Sequence, residues 1–198
     1  MNNLINHLPE KITGKKILIS GGTSNDGQST ALMLAALGAK ILIIGQNQDI
    51  LNETMQKLRT LNRESNCYGM VGNPANPEDL KTIFTVIDRH FRGLDILINN
   101  DMLSYQNLGI DDPKTWEDAL RVNLNGQINC TREAIKRMRK KEYGQIININ
   151  SITSDLRKKY NTLYEAAQSG IRKFNERILK EVKGSGIEFC GINAQQFH

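Results

Sequence analysis

Short apolar runs that do not alternate recur along the chain, separated by longer stretches in which apolar residues return every three or four positions. The runs are KILIS from Lys16, KILII from Lys40, CYGMV from Cys67, LDILI from Leu94, QIINI from Gln145 and IEFCGI from Ile187. Each reads as a strand, and KILII, which does not alternate, as one covered on both faces. The intervening stretches read as helices: one opening after the first strand, then Asp49–Leu61, Pro77–Phe91, about 113–140 and about 161–182. In the third of these Leu80, Ile83, Phe84, Ile87 and Phe91 share a face, and Pro77 and Glu78 suit a first turn. The last carries Leu163, Ala167, Ile171, Phe174, Ile178 and Val182 at helical spacing. Six strands alternating with five helices predict one α/β domain over residues 1–198, ending after the sixth strand. The expected sheet is parallel and doubly wound, in order 3-2-1-4-5-6, with right-handed crossovers and helices on both faces.

In such sheets ligands bind beyond the carboxyl ends of the strands where the order reverses, here between strands one and four. The residues that fall there are Ser20 to Gly27, Asn99 to Met102 and Ser151. The stretch SGGTSNDG joins a strand to a helix N-terminus, where free backbone N–H groups and the helix dipole favour a phosphate. Gly21 and Gly22 supply the turn, and Gly27 is expected where the helix packs closely on a strand. The spacing is not GxGxxG, and a Gly-rich first turn also has purely steric uses.

Asn99-Asn100 after strand four, Asn123 in VNLNG, Ser151 in INSI and Tyr164 thirteen residues later extend the pattern over nearly the whole chain. In order, interval and context this set resembles the short-chain dehydrogenase/reductase family, which implies a Rossmann-like fold. The resemblance implies a cofactor turn at Gly21, Thr23, Asn25, Asp26 and Gly27. It implies a ribose side at Gln46, an adenine contact at Asn73, and a segment Asn99-Asn100-Asp101-Met102 where the family has NNAG. It implies a catalytic set of Asn123, Ser151, Tyr164 and the residue at 168, NAD or NADP as cofactor, and a small carbonyl or alcohol as substrate. Taken alone, Tyr164 would read as a packing residue on the stripe of Tyr160 and Gln168, Ser151 as a strand-end residue, and Asn123 as a structural amide.

The family places a lysine four residues after the tyrosine, one turn away on the same helix face. An unperturbed phenol titrates near 10, and a neighbouring ammonium favours phenolate. Here the residue is Gln168, which brings no charge. Ser151 retains the means to polarise a carbonyl, and Asn123 to organise a proton-relay water. At the turn, Asn25 replaces a glycine, tolerating a left-handed backbone but adding a side chain near the phosphates, and Asp26 replaces an apolar residue. With Asp101 it would set two carboxylates near a pyrophosphate, where like charges roughly 5–6 Å apart repel by roughly 3 kcal/mol at an effective dielectric of about 20. Asn73 stands where the family has an aspartate, and its amide keeps an acceptor. Gly45 and Gln46 provide neither the acidic residue that marks NAD nor the arginine that marks NADP. The family's Pro-Gly segment, substrate-covering loop and seventh strand are not among these residues, so no residue reveals a substrate.

Composition changes this picture little. Of 198 residues 39% are apolar and 24% charged, ordinary for a globular chain with a full core. No apolar run approaches eighteen residues and the first sixteen lack a signal-like core, so a cytoplasmic protein without a membrane partner is expected. Cys67, Cys130 and Cys190 lie apart without CxxC spacing and are expected as buried reduced thiols; with three scattered histidines they give no metal site. The net charge of +5 gathers at Lys136, Arg137, Arg139, Lys140, Lys141 and at Arg157, Lys158, Lys159. A solvated helix end complementing its dipole is the expected use of the first cluster, and nucleic acid is disfavoured as a partner. Relatives of this kind pair through the helices after strands four and five, so a homo-oligomer through Ala119–Met138 and Leu163–Val182 is expected. Three functions follow: an NAD(P)-dependent oxidoreductase that works weakly or atypically, a non-catalytic relative that binds a dinucleotide as a sensor or a protein partner through its helices, and a nucleic-acid or polyanion binder. The missing lysine, the altered turn and the altered NNAG segment favour weakened or lost catalysis.

Overall fold

The structure, a computed structural model, describes residues 11–61, 66–100, 117, 120–150 and 162–193. Its elements are β1 (Lys16–Ser20), α1 (Asn25–Ala36), β2 (Lys40–Gly45), α2 (Gln48–Leu61), β3 (Cys67–Val71), α3 (Pro77–Phe91) and β4 (Ile96–Asn99). A π-helical turn (Arg121–Asn125), α4 (Gly126–Arg139), β5 (Gly144–Asn150), α5 (Thr162–Glu181) and β6 (Ile187–Asn193) follow. The strands form one sheet in the order β3-β2-β1-β4-β5-β6, parallel throughout, as the sequence predicts.

The unbroken apolar runs have the cause expected of them. Ile17 and Ile19 of β1 and Ile41 and Ile43 of β2 pack with Ala31, Leu34, Leu51 and Leu58 of α1 and α2 on one face. Leu18, Leu42 and Leu97 pack with Phe84, Ile87, Cys130, Ala134 and Met138 of α3 and α4 on the other. β3, at the sheet edge, instead alternates in exposure along its length.

Several expectations are corrected. β4 begins at Ile96 rather than Leu94, and the Asp95 carboxylate just before it accepts the Lys16 amide at 2.9 Å. The long helix is interrupted by the π-turn, which buries Val122 and Asn123. Cys190, on β6, is exposed, unlike Cys67 and Cys130. The basic end of α4 is only partly a solvated face. Arg137 forks onto Asp88 of α3 at 2.8 and 2.6 Å and bonds Glu133, while Lys141 pairs with Asp95. The 157–159 cluster lies outside the described residues.

Candidate functional site

The turn after β1 is built by its glycines, with a different division of labour from the expected one. Gly21 takes φ +67°. A Cβ on Gly22 would stand 2.7 Å from Ile43 Cβ, so Gly22 makes the close approach to the neighbouring strand. A Cβ on Gly27 would stand 2.2 Å from Gly21 O, so Gly27 yields to the turn backbone and not to a strand. Asn25 is the first residue of α1 and not a left-handed turn residue. Ser24 is the N-cap: its Oγ accepts from the Gly27 amide at 3.1 Å and donates to Gly21 O at 2.9 Å. The amides of Asn25 and Asp26 lie in the first turn, where no intrahelical acceptor exists. Their side chains are exposed, so the Asp26 carboxylate stands at the same helix end as those donors.

Strand β4 delivers its two asparagines to different tasks. Asn100 Nδ2 donates to Ser24 Oγ at 2.8 Å and to Gly21 O at 3.2 Å, tying the end of β4 to the glycine turn. Asn99 turns away from that turn: its buried Nδ2 donates to Thr131 Oγ1 at 3.1 Å and to Asn148 Oδ1 at 2.7 Å. Ser20 and Asn99 are register partners, and Ser20 Oγ and Asn99 Oδ1 are buried without a partner among the described residues. Such orphaned acceptors cost about 1–3 kcal/mol each and mark a place where packing alone does not explain the sequence.

The other sequence candidates fall around this crevice. Thr23 is half-buried against Gly45 at the end of β2, followed by the exposed Gln46. Asn73 is half-buried, but its Oδ1 already accepts the Ala75 amide at 2.9 Å, so the acceptor expected for a ligand serves the chain's own turn. Asn123 is buried in the π-turn, a distortion that recurs at functional sites. Gln168 is buried in α5, four residues after Tyr164, which the backbone places in the first turn of that helix. A Cβ on Gly170 would stand 3.1 Å from Leu124 Cδ1, so the small residue lets α5 close on the π-turn. Ser151, Asp101, Met102 and Tyr160 lie outside the described residues.

Two cations of α5 lie near position 168 in sequence and are engaged elsewhere. Arg172 bonds Ser169 and Lys173 pairs with Glu176, each within the exposed side of the helix. Among the described residues no group of three or more His, Cys, Asp or Glu is placed to hold a metal, and no helix is long and apolar enough to cross a membrane.

The sequence reading missed Asn148, Thr131, Asn175 and the Ser24 cap. Asn148 interrupts an apolar strand and Asn175 sits on the apolar stripe of α5, so a polar residue at a predicted core position was the available signal. The glycine cradle with free first-turn amides fits a dinucleotide pyrophosphate, whereas Asp26 opposes one.

A short chain dehydrogenase family model matches residues 15–197. The 3-oxoacyl-(acyl-carrier-protein) reductase FabG of Vibrio cholerae is 28% identical over 177 residues, 89% of this chain and 70% of that protein. An uncharacterized oxidoreductase of Staphylococcus epidermidis is 27% identical over 184 residues, 92% of this chain and 78% of that protein. Among solved structures, a putative gluconate dehydrogenase from Agrobacterium tumefaciens superposes with a TM-score of 0.80 at 27% identity, covering 92% of this chain and 72% of the other. An NAD+-bound xylitol dehydrogenase shares the fold, with a TM-score of 0.80 at 22% identity.

Proposed function

The chain belongs to the short-chain dehydrogenase/reductase family, and from that premise we propose that it binds NAD(H) or NADP(H) while its proton-transfer chemistry is weakened or lost. The observation that carries this reading is Gln168, a buried neutral amide one helical turn from Tyr164. The pyrophosphate would lie on the Gly21–Gly27 turn, held by the first-turn amides of α1. Asn100 keeps that turn in shape through Ser24 and Gly21. Thr23, Gln46 and Asn73 would line the adenosine side. When bound, the reduced cofactor supplies a hydride to a carbonyl carbon. Tyr164 would then give its proton to the developing alkoxide, with Ser151 polarising the carbonyl and Asn123 ordering a relay water. Without an ammonium at 168 that position offers no charge to favour phenolate, and an ordinary phenol, which titrates near 10, resists ionisation at neutral pH.

An active, atypical NAD(P)-dependent oxidoreductase acting on a small carbonyl or alcohol is the second reading. The burial of Asn123 in a π-turn favours it. In either case the outer faces of α4 and α5 are proposed to pair copies of the chain, and a monomeric mass in light scattering would count against this.

Calorimetric titration of the protein with NADH and with NADPH tests the proposal. Micromolar binding of either is expected. Silence up to millimolar concentration of both would remove the dinucleotide from the reading.

A further inference from the structure

Four buried side chains that the proposed chemistry does not use form one hydrogen-bonded chain through the core. Asn99 Nδ2 donates to Thr131 Oγ1 at 3.1 Å and to Asn148 Oδ1 at 2.7 Å, and Asn148 Nδ2 donates to Asn175 Oδ1 at 2.8 Å. Asn99, Thr131 and Asn148 are fully buried and Asn175 is 8% exposed. The chain therefore couples α4, β4, β5 and α5. Asn148 is fixed from both ends, its oxygen by Asn99 and its nitrogen by Asn175. Its register partner on β6 is Gly191, where an added Cβ would stand in ordinary contact, 3.5 Å from Asn175 Nδ2.

Asn175 lies on a particular line of α5. Tyr164, Gln168, Ile171 and Asn175 follow one another at intervals of four, three and four residues, which places them on a single stripe. Ile171 and Gln168 are buried along it. Apolar contact is non-directional and tolerates sliding of a helix along a sheet. A hydrogen bond to a buried amide held from its other end does not, because displacement strands the Asn148 donor at a cost of about 1–3 kcal/mol.

We propose that Asn175 is a positioning residue: its bond to Asn148 fixes the axial register and rotation of α5 on β5, and so sets Gln168 and Tyr164 relative to the carboxyl end of the sheet. The inference rests on the reading of that end as a dinucleotide site. It assigns Asn175 to the nicotinamide half, because the adenosine half and the pyrophosphate are held by β1, α1 and β2.

The test compares NADH with ADP-ribose, which carries the same adenosine and pyrophosphate but no nicotinamide. Asn175→Leu, close in size but without the acceptor, is expected to weaken NADH by about tenfold and ADP-ribose by less than about twofold. Asn175→Asp, which keeps an acceptor oxygen of the same reach, should restore NADH binding. Equal losses for both ligands, or no loss, would overturn the inference. Should Asn175→Leu fold poorly, Asn148→Leu with Asn175→Leu removes both partners and leaves Asn99 Nδ2 its bond to Thr131, and the same selective loss is expected. Failure of the unaltered protein to bind either ligand would sink the dinucleotide reading alone. Hydrogen exchange then decides the positioning role: faster exchange in Asn175→Leu over 162–168 with 176–181 unchanged supports it, and unchanged exchange over 162–168 overturns it.

Discussion

Thr23 fills the space over Gly45: a Cβ built on the glycine would stand 2.2 Å from Thr23 Cγ2 and 2.5 Å from its Oγ1. The end of β2 therefore has no room for the acidic side chain by which family members select NAD. The position is closed by a neighbour from the phosphate turn as well as by its own residue type. Gly45→Asp is expected to destabilise the fold by about 1–3 kcal/mol, the usual cost of overpacking. Thr23→Gly in the same chain should recover most of that loss and give a protein that prefers NADH to NADPH, since a carboxylate repels the 2′-phosphate. Thermal unfolding and paired titrations check this. Equal stability of the single and double variants would mean that Thr23 rotates away freely.

Asp26 stands in the first turn of α1 beside the amides that would hold a pyrophosphate. Its charge interacts favourably with the helix dipole, by about 0.3–1 kcal/mol, and unfavourably with any bound phosphate. Asp26→Ala is therefore expected to cost a little stability and to raise affinity for NADH and NADPH by up to about tenfold, less than a buried pair would give because the carboxylate is exposed. The gain should shrink as salt is raised from 50 to 500 mM, concentrations that take the screening length from roughly 14 to roughly 4 Å. A gain independent of salt would point to a steric cause.

Asp95 ties three segments together at the opposite end of the sheet, accepting the Lys16 amide and pairing with Lys141. Burial raises its carboxyl, but the bonds from Lys141 and Lys16 together with the charges of Lys141 and Lys15 outweigh it, and the group titrates below the ordinary aspartate range. A carboxyl lowered in the folded state contributes stability that is present above its unfolded value, near 3.9, and is lost as pH falls through the folded value. Asp95→Asn should cost about 1–3 kcal/mol in urea unfolding at pH 7. The difference from the unaltered protein should narrow as pH drops below about 4. A difference of the same size at both pH values would show that the charge is not what matters.

The sheet order and most element boundaries were legible because strands covered on both faces leave unbroken apolar runs, and because helices between them carry a 3.6-residue period. What the period could not reveal was a local change of winding: residues 121–125 read as part of one continuous helix, whereas they form a π-turn whose Leu124 lies close to Gly170 of α5. Gly27 was singled out correctly as intolerant of a side chain, but the sequence holds no sign that its obstacle is Gly21 O. Asn99 stood out by family likeness, whereas its partner Asn148 did not. Asn148 and Asn175 are 27 residues apart, so each reads alone as a polar intrusion in an apolar element. Cys190 was expected to be buried from its apolar strand, but the run IEFCGI carries no sign of which of its positions face solvent.

Gln168 offers the sharpest trial of the proposed loss of proton-transfer chemistry, because a lysine placed there changes one charge at a buried position. Gln168→Lys places an ammonium where desolvation lowers its own pKa, so the variant is expected to unfold at a lower temperature than the unaltered protein. If Tyr164 is in reach, the same ammonium favours its phenolate, and phenol and amine stabilise each other's charged forms. The expected result is reduction of small carbonyl compounds by NADH or NADPH in Gln168→Lys at a rate at least about tenfold above the unaltered protein, a gain worth about 1.4 kcal/mol in the barrier. Adding Tyr164→Phe should abolish the gain while leaving cofactor affinity in place. A Gln168→Lys protein that binds cofactor but gains no Tyr164-dependent turnover would show that the loss extends beyond position 168, to the placement of the reacting groups themselves.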